Sequence, residues 1–222
     1  ELGSISSLKV NEITRWRNER LADAAVLSQN EILSQLVSDL LNNPGEHDSR
    51  VKLQHWLGQV NRACIYKNII ITDTAANEII SEISGSDKNH VQHKKCILES
   101  RSRNTVSFLD FHKHESDSQI YLSVLAPVTH VISGEPLGYI LLQIDPGHYL
   151  YPMIRQWPTN SKTSETLILR REGNEVVFLN NLRFQQNTAL NLRAPLSKAN
   201  LPAAMAALGQ TGFIEGIDYR GV

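Results

Sequence analysis

The first fifth of the chain contains one long stretch with neither glycine nor proline, residues 10–42. Apolar residues recur within it every three or four positions, which is the spacing that places side chains along one face of an α-helix. Asn42-Asn43-Pro44-Gly45 follows and favours a helix end, because proline lacks the backbone donor and glycine tolerates a left-handed terminus. The sequence therefore predicts one uninterrupted helix over residues 10–41. At about 1.5 Å per residue it is about 45 Å long, more than one small domain needs.

Shorter runs of branched and apolar residues, separated by turn residues, predict β-strands in the next part of the chain. The predicted strands are residues 69–73, 78–83, 106–111, 119–131 and 137–144. Helical spacing predicts helices at residues 51–61 and 91–101. Five antiparallel strands with intervening helices are typical of an α+β module.

The last third of the chain carries a hairpin pattern. Residues 166–170 and 176–179 are rich in branched and apolar side chains, and Glu172-Gly173-Asn174 between them supplies turn chemistry. A short helix at residues 203–208 and a turn followed by a strand at residues 213–222 complete the expected second module.

Composition excludes several classes of function. A net charge of −1 with scattered Lys and Arg residues disfavours a nucleic-acid surface, which needs a basic stripe. Nucleophile, phosphate-loop and zinc motifs are absent from the sequence, so we expect no enzyme activity and no cofactor. The sequence contains no run of about 18 apolar residues, so it predicts no membrane span within these residues. Cys64 and Cys96 are compatible with one disulfide or with two free thiols.

Residues 157–196, together with Ala126-Pro127-Val128 and residues 137–145, resemble the extracytoplasmic double-Cache (tandem PAS-like) sensor domains of bacterial and archaeal histidine kinases and related diguanylate cyclases. The resemblance implies an α+β fold in which a long N-terminal helix carries two stacked PAS-like modules, each on an antiparallel sheet. It divides the chain into a helix at residues 1–48, a membrane-distal module at 49–148 and a membrane-proximal module at 149–222, the last apparently incomplete.

The resemblance also implies a function. We expect the extracytoplasmic, ligand-sensing part of a membrane-bound signalling protein, most simply a sensor histidine kinase whose catalytic domains lie outside this chain. It implies flanking transmembrane helices and a homodimer through the N-terminal helix, with Ile13, Trp16 or Leu27 near the contact. Two alternatives stay open, a non-binding dimerisation spacer and a domain that reports a protein partner in a chemoreceptor or diguanylate cyclase.

The candidate ligand site lies on the predicted sheet of the 49–148 module. Alternate residues of a strand share one face, so polar residues at alternate positions define a polar surface there: Asp110, His112, Tyr121 and Ser123. The resemblance implies that this concave face binds a small polar or amine-bearing molecule, and that Asp145, at the end of the last strand, holds the ligand amine. Asp is also a favoured turn residue, so Asp145 capping the Pro146-Gly147 turn is the alternative.

Two further groups of residues bear on the site. Arg103 is a candidate for binding a ligand carboxylate. His90, His93, His112 and His114 form the densest histidine set, but a metal site needs three or four converging ligands, and solvated histidines explain the pattern better.

Overall fold

The structure is a computed structural model that describes residues 2–64, 66–83, 94, 97–98, 105–113 and 118–221. In chain order its elements are α1 (Leu2–Ser28), α2 (Glu31–Asn42), α3 (His47–Cys64), β1 (Asn68–Asp73), β2 (Glu78–Ser81), β3 (Ser107–Lys113), β4 (Ile120–Thr129), β5 (Pro136–Ile144), α4 (Leu150–Arg155), β6 (Leu169–Glu172), β7 (Glu175–Phe178), β8 (Arg193–Pro195) and α5 (Pro202–Ala207). The α+β class predicted from the sequence is confirmed.

The N-terminal helical region is broken, and the predicted uninterrupted helix over residues 10–41 is wrong. Helix α1 ends at Ser28 and α2 begins at Glu31. Between them Asn30 takes an extended conformation (φ −74°, ψ 120°), and its Oδ1 accepts a hydrogen bond from the backbone N–H of Leu33 at 3.0 Å. The asparagine side chain satisfies one of the free backbone donors in the first turn of α2. This bond stabilises the start of a new helix at Glu31 relative to a continuation of α1.

The first sheet has five antiparallel strands in the order β2-β1-β5-β4-β3, and the strands predicted for this region are confirmed. Helices α1 and α2 contact this sheet. Trp16 of α1 makes an edge-on contact with Phe108 of β3, with ring centroids 6.1 Å apart. Ser34 of α2 donates a hydrogen bond from its hydroxyl to the backbone oxygen of Thr129 at 2.9 Å.

The second sheet contains β6, β7 and β8, again antiparallel. The predicted hairpin is confirmed: Glu172 pairs with Glu175, and the two-residue turn between them begins with Gly173 at φ +58°. Only glycine adopts such a conformation without steric cost, which is why glycine stands first in the turn. A core of apolar side chains from β7, α5 and the intervening loops packs behind this sheet, including Val176, Phe178 and Leu201.

The strand predicted within residues 213–222 is wrong, because residues 213–221 contain no strand. Ile217 donates its backbone N–H to Asn200 O at 2.7 Å, but no ladder follows. Gly216 packs so closely that an added Cβ would lie 2.4 Å from Asn200 O. The segment is held by this close approach of two backbones rather than by strand pairing.

Contacts group the chain into two compact units. The larger unit is residues 14–146, and the smaller unit is residues 1–13 with 147–222, so α1 contributes residues to both. The domain boundaries drawn from the sequence at residues 48 and 148 stay predictions. Within the part of the chain that the structure describes, no helix combines the length and apolarity needed to cross a bilayer.

Candidate functional site

Three buried polar side chains lie side by side on the three central strands of the first sheet, near one end of these strands. Asn68 on β1 is opposite Gln143 on β5, which in turn is opposite Ser123 on β4. Their exposed fractions are 2%, 7% and 0%. We call these three residues the polar row. Polar groups removed from water cost free energy unless they are hydrogen-bonded, so a row of them in a sheet interior calls for partners.

Apolar residues continue the same face of the sheet. Two residues away from the polar row on each of the same three strands lie Ile70, Leu141 and Leu125. Leu141 pairs with both of the others, and all three are buried. Residues two apart on a strand share a face, so these residues and the polar row form one surface, which we call the front face. Ile97 and Tyr139 pack into its apolar part. The front face therefore combines an apolar floor with a polar strip.

Two hydroxyls on the front face make no hydrogen bond with any described residue. They are Ser123 Oγ, in the polar row, and Thr72 Oγ1 on β1, whose residue is 4% exposed and pairs with Tyr139. Leaving a buried hydroxyl unsatisfied costs about 1–3 kcal/mol. Asn68 differs, since its Oδ1 accepts from the backbone N–H of Ile83 at 3.1 Å. The two hydroxyls are available to hydrogen-bond a bound molecule.

Four residues predicted for the site lie together at one end of the front face. His112 is directly opposite Tyr121, which is two residues before Ser123 on β4. The last paired residues of β4 and β5 are Leu122 and Ile144, so Tyr121 and Asp145 occupy the next positions on these neighbouring strands. Tyr121 is buried, whereas His112 and Asp145 are half-buried. The ligand-binding role of each residue stays a prediction.

Asp110 does not lie on the same face as His112, although its position two residues earlier on the strand predicts that it does. The register of β3 and β4 shifts between Leu109 and His112, so the strand carries a β-bulge there. Alternation breaks at the extra residue, which leaves Asp110 exposed, with its Oδ1 accepting from the backbone N–H of Phe111 at 2.8 Å. Arg103 lies outside the described residues, as do Cys96, His90, His93 and His114.

Most of the polar row was not predicted from the sequence. Asn68 immediately precedes the apolar run Ile69-Ile70-Ile71, and Gln143 interrupts the apolar run of β5. Each is a polar residue within or directly beside an apolar run of a strand, and Thr72, which follows Ile71, fits the same pattern. A polar residue inside a buried strand is the signal that points to these positions.

The arginines of the second sheet serve its structure. Arg170 donates from Nε to Glu172 Oε1 at 2.9 Å, and Arg193 Nη2 lies 2.7 Å from Glu172 Oε2. Hydrogen bonds from Arg193 and Arg170 hold the pKa of Glu172 below its usual value. These pairs give the two arginines a structural role in the hairpin.

Comparison with known proteins gives structural matches alone. No protein-family model matches the chain, and no curated protein sequence matches it. The ligand-binding domain of the Pseudomonas aeruginosa amino-acid chemoreceptor PctC, solved with GABA, superposes with a TM-score of 0.57 at 16% identity, over 89% of this chain and 80% of that one. The ligand-binding domain of the Pseudomonas fluorescens chemoreceptor CtaA, solved with L-serine, gives 0.57 at 13% identity, over 90% and 76%.

The sensor domain of the V. cholerae histidine kinase DctB gives a TM-score of 0.54 at 15% identity and covers 72% of this chain. The chain has the double-Cache sensor fold. The fold implied by the sequence resemblance is thereby confirmed. The chain spans 58% of the length of the DctB sensor domain.

Proposed function

We propose that this chain is the extracytoplasmic ligand-sensing domain of a membrane-bound signalling protein, and that it binds a small polar molecule on the front face of the first sheet. The observation that carries the proposal is Ser123, the member of the polar row on β4, whose fully buried hydroxyl has no partner among the described residues. A structural polar residue is normally satisfied by its own protein. A buried polar group without a hydrogen-bond partner, on a sheet face that is otherwise apolar, is typical of a ligand site.

The ligand class follows from the groups at one end of this face. Asp145 supplies a carboxylate that binds an ammonium group, while the Ser123 hydroxyl and the Gln143 amide serve the remaining polar atoms of the ligand. Two of the structural neighbours were solved with GABA and L-serine, and each of these molecules bears an amine and a carboxylate. We therefore infer a small amine-bearing ligand, of which amino acids are the first class to test.

The kind of signalling protein to which the chain belongs is inferred less specifically than the ligand. The structural neighbours include the sensor domain of a histidine kinase and the ligand-binding domains of chemoreceptors, so both kinds of output fit the fold. We favour the kinase, with its catalysis in domains outside these 222 residues and transmembrane helices on both sides. In this arrangement the chain itself is not catalytic, and it forms a homodimer through α1.

A thermal-shift screen tests the proposal. The chain is melted in the presence of amino acids, carboxylates, polyamines and purines, and a true ligand raises the midpoint with concentration because it binds only the folded state. We expect an amine-bearing compound to do so. Gln143→Leu removes a polar group from the front face and abolishes the shift, whereas Gln59→Leu, the same change at an exposed position of α3, preserves it.

Two outcomes count against the proposal. If no compound of any class moves the midpoint, the chain is better explained as a dimerisation spacer or as a reporter of a protein partner. If the Gln143→Leu variant keeps the full shift, the ligand binds elsewhere than on the front face.

A further inference from the structure

We propose that the smaller unit holds a second binding site, for a small organic carboxylate that bears another polar group. The site is a cavity of about 540 Å³ bounded by parts of residues 155–166 and 180–186. This volume lies within the range of about 300–1,000 Å³ that small-molecule pockets occupy. Every lining residue belongs to the smaller unit, so the inference is independent of the front face.

The wall of the cavity is held in place by hydrogen bonds. The chain between α4 and β6 has no regular secondary structure, yet Arg183 Nη1 donates to Ser164 O at 2.8 Å and to Ser161 O at 3.2 Å. Asn180, only 4% exposed, donates from Nδ2 to Thr166 O at 3.1 Å, and its Oδ1 accepts from Ile168 N at 2.7 Å. A polar cavity with fixed walls is preorganised, which lowers the entropic cost of binding.

The charges in the wall favour an anion. Glu165 is the one carboxylate among the lining residues, and both of its oxygens are occupied. Oε2 accepts from the backbone N–H of Arg183 at 2.8 Å, and Oε1 accepts from the Tyr219 hydroxyl at 2.5 Å. Burial, and then the contact with Glu165, raise the pKa of Tyr219 to about 12, so this hydroxyl stays protonated and remains a donor at neutral pH.

Two guanidinium groups line the same cavity, those of Arg155 and Arg183, and neither forms an ion pair with any described carboxylate. Arg183 is satisfied by neutral carbonyls, which leaves its positive charge uncompensated. Arg155 stands exposed in the last turn of α4 and is available as a planar donor pair. A guanidinium binds a carboxylate through two parallel hydrogen bonds, so a carboxylate is the group that this wall recognises.

Two further features define the rest of the ligand. Thr166 Oγ1 is buried and has no hydrogen-bond partner within the described part of the chain, so it offers a neutral donor or acceptor. Trp157 is one of two apolar side chains in the lining, Leu182 being the other. An indole provides a flat wall for a ring or a short carbon chain. The ligand therefore carries a carboxylate at one end and a hydroxyl or second carboxylate at the other.

Nuclear magnetic resonance of the full ¹⁵N-labelled chain tests the site with three probes: 4-hydroxybenzoate, succinate and citrate. The chain has three tryptophans, and Trp157→Phe identifies the indole N–H signal of Trp157. We expect at least one probe to shift this signal in a saturable manner. Arg155→Gln should raise the dissociation constant about ten- to a hundredfold, because it removes a charge-assisted hydrogen bond.

A matched control separates this effect from a general loss of positive charge. Arg171 lies on β6 outside the cavity lining, and Arg171→Gln should leave the dissociation constant unchanged. Ser123→Ala, on the front face of the larger unit, should also leave the Trp157 signal and its titration unchanged. Failure of all three probes to shift that signal overturns the proposal. It is equally overturned if Arg155→Gln binds the probe within twofold of the unsubstituted chain.

Discussion

Asp145 is the residue on which the proposed recognition of an amine depends. It follows β5 directly, next to the position that Tyr121 occupies on β4. A charge-assisted hydrogen bond contributes about 1.5–3 kcal/mol. Asp145→Ala should therefore raise the ligand dissociation constant about ten- to a hundredfold while leaving the melting midpoint nearly unchanged. Titration calorimetry and thermal unfolding of the same variant measure both quantities.

The alternative role of Asp145 predicts the opposite pair of results. If its carboxylate stabilises the turn at Pro146-Gly147, Asp145→Ala lowers the melting midpoint and leaves the affinity unchanged. Asp145→Asn serves as the control, because it retains the shape and the turn-forming ability of the side chain but loses the charge. A ligand role requires that Asn at this position also weakens binding.

Glu172 should make the stability of the chain depend on pH in the acid range. Its folded pKa lies below the ordinary value of 4.5, chiefly because Arg193 and then Arg170 hydrogen-bond the carboxylate. A depressed carboxyl pKa contributes stability that is present above the unfolded value and is lost as pH falls through the folded value.

Urea unfolding of the original chain and of Glu172→Gln between about pH 6 and pH 3 measures this contribution. We expect the free energy of unfolding to fall less steeply with acidification in the variant. Because the pair is partly exposed, the difference should shrink as salt is added. Identical pH dependence in the two proteins would show that Glu172 has the same pKa folded and unfolded.

At the scale of single residues, the sequence predicted the part of the site that obeys strand alternation. Tyr121 and Ser123 share a face because β4 is regular between them. Asp110 lies off that face because a β-bulge interrupts β3. The sequence Leu109-Asp110-Phe111 contains no residue that would predict the bulge. The pairing of Asn68 with Gln143 joins strands about 75 residues apart, so it depends on the folded sheet.

At the scale of elements, the break between α1 and α2 depends on the Asn30 cap. Removing an N-cap side chain costs about 0.5–2 kcal/mol, so Asn30→Ala should lower the free energy of unfolding by about that amount. Asn30→Ser retains a hydroxyl acceptor for the Leu33 N–H and should preserve most of the stability. Urea denaturation measures both variants, and equal stability of Asn30→Ala and the original chain contradicts a capping role.

Local sequence predicted most elements but neither the helix break nor the C-terminal segment. Leu27 and Ile32 are five positions apart, whereas Ile32 and Leu36 are four apart, and this one irregular step does not by itself reveal that the helix breaks at Asn30. Some of residues 213–221 are typical of strands, but a strand forms only where the segment can pair in register with an unpaired edge strand of a sheet. Here the close approach of Gly216 to Asn200 fixes the chain in another position.

At the scale of the whole molecule, we expect a parallel homodimer at high concentration through α1. Val10 and Val26 of this helix are 58% and 72% exposed, and exposed apolar residues along a helix favour a partner. Trp16, expected near the contact, is instead 5% exposed and packs on Phe108 within the chain, so it does not supply the interface. Ile13 and Leu27 are half-buried.

Analytical ultracentrifugation over a wide concentration range measures the association. The dimer should weaken when Val26 is replaced by Lys, and Lys in place of the exposed Val51 on α3 serves as the control. A monomer at every concentration contradicts the dimer for the chain as it stands.

The fold was recognisable from a few stretches of sequence, although the solved neighbours share only 10–16% identity with the chain. Binary pattern and turn chemistry are enough to specify five strands in antiparallel order. The ligand and the output are specified by a few side chains that differ among proteins of one fold, so they do not follow from the fold.

The central claim, that the front face binds the ligand, is tested most directly at Ser123. Its hydroxyl makes no hydrogen bond with the described residues, so Ser123→Ala removes nothing that stabilises the free protein. We predict an unchanged or higher melting midpoint without ligand, together with a dissociation constant raised about two- to tenfold by loss of one neutral hydrogen bond. A lower midpoint with unchanged affinity would contradict the account, because Ser123 would then be a structural residue.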